Sequence, residues 1–346
     1  MRRSLQAIVG SQQFGLILVI LTLGVLLSVF SGSYTNTANH QTINNFLNAS
    51  TLMQVATDAS LYAIMAVGMT MVIISAGIDL SVGSIYALAG VLMAMALRGS
   101  PQIGVTGVLI GIGICCTIGV ICGVLNGVLI CGLGVHPFII TLGTMLVFRG
   151  IGFVVSKAES ILVPQSLTHF MKSGLGLPGQ LYPMPMLIML AVAIGGWLYL
   201  TNTVMGRRIF AVGGNSLASR YAGLRLTPIL VGVYAISGLT AGIAAFVGNS
   251  FYGAASSADA TGYELYVIAS AVVGGASLMG GKGSAVSAML GALLIALMKQ
   301  SISLLHFNQN YQQIIIGVAI IVAVVLDRFS SKLAERRRLT AEQRAI

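Results

Sequence analysis

The chain is predicted to be an all-α membrane protein with about ten transmembrane helices. Three observations carry this prediction. Of its 346 residues, 56% are hydrophobic and only 8% charged, with a mean hydropathy of +0.95, whereas soluble domains carry roughly 25% charged residues. Apolar runs of about membrane length recur along the chain, since a hydrocarbon core ~30 Å thick needs ~20 apolar residues as helix. The basic residues are also clustered at sites that alternate with those runs. The 43 glycines fit the same class, because small residues permit close helix contacts in lipid.

The apolar runs place spans near 14–32, 59–77, 82–98, 103–132, 138–155, 184–201, 228–248, 264–279, 284–300 and 312–327. Segments 77–83 and 279–284 read as tight, glycine-rich reversals. The first span has the flanks of a secretory signal, two arginines before it and Ser31-Gly32-Ser33 after it, but it is long for an h-region and reads as a retained helix. Ten spans put both termini on one side. Thirteen of the 18 Lys and Arg (Arg2, Arg3, Arg207, Arg208, Arg220, Arg225, Lys282, Arg328, Lys332, Arg336, Arg337, Arg338 and Arg344) then face the cytosol, as the positive-inside rule requires. The net charge of +10 is therefore a topology signal, not a phosphate-binding stripe, and no nucleic-acid partner is expected.

Several classes of chemistry are unsupported. Cys115, Cys116, Cys122 and Cys131 share one span with neither a zinc spacing nor an external pair. His40, His136, His169 and His306 are scattered. Gly174-x-Gly176-x-x-Gly179 lacks the strand and helix of a dinucleotide motif, and Gly280-Gly281-Lys282-Gly283 lacks the first glycine and the hydroxyl of a P-loop. No cofactor, metal or catalytic site is expected, and ATP is not expected to bind this chain. Arg149 reads as the one clear intramembrane charge, near a span end where snorkelling could relieve it. Asp79 and Glu264 stand at helix starts. Asp79 or Ser81 reads as a cap for the following span or as part of a gating turn. Glu264 reads as a dipole-favoured carboxylate or an outer-gate group. Ser75, Asn126 and Thr141 are polar candidates for a substrate path, although bundle packing explains each equally well.

Two patterns concern organisation. Gly107, Gly111, Cys115, Gly119, Gly123 and Gly127 recur at every fourth position, which puts a small-residue stripe on one helix face. Its partner helix is open. The glycine-bounded turns before 84 and 284 also resemble one another, and a repeated helix group, 59–155 against 228–327, would account for it.

The interruption at 202–227 carries Arg207, Arg208, Arg220 and Arg225 and no acid. Within it, Asn215 fits an N-cap, Ser216–Ala222 a two-turn helix and Gly223 the C′ position. Such a capped helix would rest on anionic lipid or offer a knob to a soluble protein, and the residues alone favour neither.

Together these motifs carry a family resemblance. Ala66-Val-Gly-Met-Thr-Met-Val-Ile-Ile-Ser-Ala-Gly-Ile-Asp-Leu-Ser-Val-Gly-Ser84, Pro137-Phe-Ile-Ile-Thr-Leu-Gly-Thr144, Gly206-Arg-Arg-Ile-Phe-Ala-Val-Gly-Gly-Asn215, Glu264-Leu-Tyr-Val-Ile-Ala269 and Gly274-Gly-Ala-Ser-Leu-Met-Gly-Gly-Lys-Gly-Ser284 occur in order. The chain resembles the membrane permease subunits of bacterial ABC sugar importers, the ribose/xylose/arabinose/galactose type. That resemblance implies a type II ABC importer-like permease of the inner membrane, paired with a second permease subunit. Cytosolic ATPases would bind it from one side and a periplasmic sugar-binding protein from the other. It also implies that Arg207, Arg208, Gly213, Gly214, Asn215, Ser216, Arg220 and Gly223 form the ATPase-coupling element, with 216–222 as the coupling helix. Ala76 replaces a common glycine, and Tyr266 replaces a common acid after Glu264-Leu265. The alternatives are an ion-coupled secondary transporter of a small polar solute and an ABC permease for amino acids or nucleosides. A thin supply of buried acids counts against the first.

Overall fold

In lipid a backbone must satisfy its own hydrogen bonds, so apolar runs become helices. The computed structural model describes residues 12–35, 42–99, 104–177, 181–319, 321, 322 and 325. Its helices are α1 (Gln12–Phe30), α2 (Ala49–Ile74), α3 (Val82–Ala96), α4 (Gly104–Leu133), α5 (Pro137–Ser156), α6 (Gln165–Met171), α7 (Met184–Asn202), α8 (Val204–Gly214), α9 (Ser216–Tyr221), α10 (Leu226–Tyr252), α11 (Tyr263–Val273) and α12 (Ala285–Leu304). Residues 311–319 are also helical. The rest of the 312–327 run is only partly described. The terminal arginines from Arg2 to Arg3 and Arg328 to Arg344, and Gly179, lie outside the described residues.

Seven of these helices, α1, α2, α4, α5, α7, α10 and α12, are long and apolar enough to cross a membrane. The apolar runs at 82–98 and 264–279 give shorter helices, 15 residues in α3 and 11 in α11. At 1.5 Å per residue these reach only about 22 and 16 Å. The 82–98 run ends two residues beyond α3, whereas the 264–279 run continues into the turn backbone of 274–284, where Met279 and Lys282 are exposed. Hydropathy registers an apolar turn and a helix alike, so the described helices do not themselves establish the count of ten.

Helix α2 lies at the centre. Every residue from Ala59 to Ile74 is buried, as expected for a helix apolar on all sides. It packs on α10, α12, α11 and α7. In contrast α1, α4, α5 and α7 leave most of their apolar surface open. Two small antiparallel ribbons join loops, β1 (Ser33–Thr35) with β2 (Thr42–Asn44) and β3 (Ile161–Leu162) with β4 (Ala254–Ala255). The second ties the chain after α10 to the segment after α5.

The small-residue stripe on α4 finds its partner in α10, the most extensively packed helix pair. A Cβ on Gly119 would overlap the carbonyl of Gly238, one on Gly123 the carbonyl of Tyr234, and one on Gly242 the carbonyl of Cys115. A Cβ on Gly127 would lie 2.6 Å from the Val231 Cα. Each helix therefore puts glycines where the other presents backbone, and the two approach more closely than side chains would permit. All four cysteines are free thiols, and Cys115 is buried on this seam.

The seam makes a specific prediction. Gly119→Val should destabilise the protein by about 1–3 kcal/mol or more through overpacking. Gly113→Val, on the same helix where nothing approaches within 4 Å, should leave the thermal unfolding midpoint in detergent unchanged. Equal midpoints for both variants would show that the seam is not tight.

Candidate functional site

The turn after α2 is built locally. Ser75 ends the helix, and its Oγ donates to the Val72 carbonyl at 2.8 Å. Ala76 is left-handed, with φ 63°. At Gly77 a Cβ would lie 2.5 Å from the Tyr234 hydroxyl of α10, so the chain must stay bare to pass. It then reaches Asp79, which is 0% exposed.

Asp79 is the hub of a polar cluster. Its Oδ1 accepts from the Ser81 backbone N–H at 2.9 Å and from the Ser81 hydroxyl at 2.6 Å. Its Oδ2 accepts from the Ser237 hydroxyl of α10 at 2.9 Å. Asn126 of α4 donates through Nδ2 to the Ser81 hydroxyl at 2.8 Å. Thr141 of α5 donates to the Ile78 carbonyl at 3.1 Å. The structure thus brings Asp79, Ser81, Asn126 and Thr141 to one turn, while Ser75 bonds back to its own helix. Three helices are fastened to the start of α3.

This cluster refines the capping role. Ser81 occupies the N-cap position of α3 but makes no side-chain cap bond, because its hydroxyl is committed to Asp79 and Asn126. Asp79 supplies the acceptor instead, near the positive end of the α3 dipole. A buried carboxylate is costly unless hydrogen-bonded, and its three donors meet that need. Among the described residues no Lys or Arg bonds to it. Ser237 and Tyr234 were invisible in the sequence, where they sit among other small or apolar residues of one span.

Glu264 lies elsewhere, in the first turn of α11. Its Oε2 faces Gly83, where a Cβ would lie 2.8 Å away. Arg149 approaches the same glycine, but its guanidinium does not snorkel. Nη1 donates to the carbonyls of Ser257, at 2.8 Å, and Asp259. These carbonyls belong to the segment between β4 and α11, which folds back against α5. Arg149 is also not the only charge in a long apolar helix. Lys299, in the last turns of α12, donates to the Tyr62 hydroxyl at 3.3 Å and lies 5.8 Å from the ring centroid. The Tyr62 ring in turn meets Tyr263 and Tyr266 edge-on at 4.9 and 5.5 Å. In sequence, Lys299 marks only the fading end of an apolar run.

The 202–227 interruption holds two helices rather than one. Thr203 Oγ1 caps α8 by accepting from the Gly206 N–H at 3.0 Å. Arg207 and Arg208 are exposed, whereas Ile209, Val212 and Gly213 are buried. This amphipathic split makes the segment helical although it interrupts the apolar runs. Asn215 then caps α9, its Oδ1 accepting from the Ala218 N–H at 2.8 Å. Gly223, with φ 83°, closes it, and the Leu224 N–H donates to the Ser219 carbonyl at 3.0 Å, the Schellman pattern. Within α9 only Ser219 is buried. Leu217 is 59% and Tyr221 82% exposed. Four residues apart, they share a face, beside the exposed Ser216, Arg220 and Arg225. The arrangement is a rigid knob with an apolar pair and basic flanks.

The Asp79 cluster is testable by stability. Asp79→Ala strands the donors of Ser81 and Ser237, at about 1–3 kcal/mol for each buried unsatisfied group. Asp79→Asn keeps an acceptor and should retain most of the stability. In detergent unfolding, an alanine variant as stable as the asparagine variant would contradict the cluster's role.

Comparison with known proteins agrees with this architecture. A family model described as "Branched-chain amino acid transport system / permease component" matches residues 51–324. The D-allose transport system permease protein AlsC of Escherichia coli is 36% identical over 83% of this chain and 86% of its own. The ribose import permease protein RbsC of Escherichia coli is 35% identical over 89% and 92%. RbsC of Bacillus subtilis is 34% identical over 83% and 87%. A bundle of long apolar helices with these relatives over most of its length is a multi-pass membrane protein, and the chain belongs to this family of transport-system permease components.

Proposed function

We propose that this chain is the channel-forming subunit of an ATP-driven, binding-protein-dependent importer of a monosaccharide or related polyol. The observation that carries the reading is the near full-length similarity to permeases named for D-allose and ribose. The exposed knob at α9 supports it, because a permease of this kind needs a surface for a separate engine. The subunit performs no chemistry of its own. It sits in the bacterial inner membrane with both termini and the 202–227 segment in the cytosol, as the basic residues direct.

In this reading α9 seats in a groove of a cytosolic ATPase. Leu217 and Tyr221 fill its apolar floor, while Arg220 and Arg225 meet an acidic rim. A second permease copy or paralogue completes the channel, and a periplasmic sugar-binding protein delivers cargo to the opposite face. ATP-driven closure of the ATPases moves the knobs and rocks the helix bundles between outward and inward openings. A neutral polyol suits a path with few fixed charges. The matching family, described by branched-chain amino acid transport, favours a second reading, a branched-chain amino acid as cargo, which shares this mechanism.

Uptake into proteoliposomes containing the permease, its ATPase and its binding protein tests the reading. Labelled ribose or D-allose should accumulate only with ATP. Accumulation of leucine or isoleucine instead would favour the second cargo. Uptake that proceeds without ATP and collapses with an ion gradient would overturn the importer reading. For the knob, Leu217→Asp with Tyr221→Asp should abolish ATPase co-purification while leaving membrane insertion intact, since a hot-spot anchor contributes about 2 kcal/mol or more and the change also puts two carboxylates in an apolar contact. Unchanged co-purification would exclude α9 as the docking element.

A further inference from the structure

Three segments far apart in sequence meet at one backbone atom, the carbonyl oxygen of Ile74 at the end of α2. The Gly281 N–H donates to it at 2.8 Å. Gly213, near the end of α8, lies so close that a Cβ there would overlap the same oxygen. The contact continues on both sides. A Cβ on Gly280 would lie 2.5 Å from the Gly213 carbonyl and 2.9 Å from the Ala76 Cβ. One on Gly281 would lie 3.0 Å from the Gly214 Cα, and one on Gly283 2.8 Å from Ile74 Cγ1. Gly280 and Gly281 hold left-handed conformations, φ 82° and 71°, which only glycine adopts without cost.

The packing is largely backbone on backbone. Side chains can absorb a displacement by changing rotamer, but contacting backbones cannot, so movement of one segment must be passed to the others. The three segments lead to different parts of the protein. Gly213 and Gly214 run directly into Asn215 and the exposed α9. Ile74 opens the turn that carries Asp79. Gly280–Gly283 opens α12. A bare glycine at 213 is required by this contact, whereas Gly214 has open space where its Cβ would project.

We propose that the junction of Gly213, Ile74 and Gly281 is where motion of the knob is transmitted to the α2–α3 and α11–α12 turns, with Gly213 and Gly281 as positioning residues for transport. The proposal rests on the reading of α9 as the ATPase-docking element. It separates docking from transmission: α9 holds the ATPase, and the junction converts that hold into movement of the bundle.

Two measurements on the full reconstituted complex test it. Gly213→Ala should keep stoichiometric ATPase binding yet lose ATP-driven uptake by about 5–150-fold, the usual span of a coupling effect. Gly195→Ala, in α7 where nothing lies within 4 Å of the added Cβ, should transport like wild type. Uptake by Gly213→Ala equal to Gly195→Ala would overturn the proposal. Should Gly213→Ala fail to fold, hydrogen–deuterium exchange on the wild-type complex decides, comparing nucleotide-free with ATP-trapped states of a hydrolysis-deficient ATPase. Exchange in peptides covering 72–84 and 276–286 should change together on trapping. Protection of α9 by the ATPase with no change in those peptides would overturn the junction and leave docking intact. An α9 unprotected by the ATPase would sink the docking reading and the junction with it.

Discussion

The glycine seam between α4 and α10 is the contact on which the interior depends. Gly119 and Gly123 on one helix and Gly238 and Gly242 on the other let the two backbones touch. The seam also carries the polar residues to their meeting point. Asn126 lies between Gly123 and Gly127, and Ser237 is next to Gly238. Both reach the Asp79–Ser81 pair from opposite helices at 2.8–2.9 Å. A wider seam would pull these donors away and leave a carboxylate buried without compensation. Tight packing and the hydrogen bonding of the Asp79 carboxylate are thus one requirement met by the same few residues.

This constraint explains why the most buried helix is not one at the lipid boundary. Helix α2 is enclosed on all sides, and its end is fixed twice. Below Asp79 the seam holds the turn through Ser237 and Asn126. At Ile74 the backbone junction holds it against α8 and the 274–284 turn. The exposed α9 is the part of this end left free for a partner. The permease reading needs both features, a rigid interior that moves as a body and an outward element by which to move it.

Much of this was legible in the sequence where the signal was local. The caps at Asn215 and Gly223 are short-range chemistry, and both residues lie at the ends of α9. The small-residue stripe on α4 was visible as a four-residue period, but a stripe says only that something approaches closely, and α10 had to be seen. Ser237 and Tyr234 carried no signal, because a serine or tyrosine in an apolar span looks the same whether or not it faces a carboxylate. Gly213 and Gly214 are indistinguishable as letters, although one is pressed against a carbonyl and the other is open. The early end of α11 at Val273 was hidden for a related reason, since hydropathy sums over turn and helix alike, whereas α3 falls within the 82–98 run. Lys299 carries no signal in the sequence because a cation at the end of an apolar run reads as a boundary, not as a partner for Tyr62.

The claim that the seam brings α4 and α10 to a single polar cluster is tested most directly by a double-mutant cycle. Asn126→Ala, Ser237→Ala and the double variant would be compared by unfolding in detergent. Residues that share one hydrogen-bond network couple by about 0.5–3 kcal/mol, so the account predicts a double variant whose loss departs from the sum of the single losses by that amount. Strict additivity would mean that Asn126 and Ser237 act independently, and would contradict it.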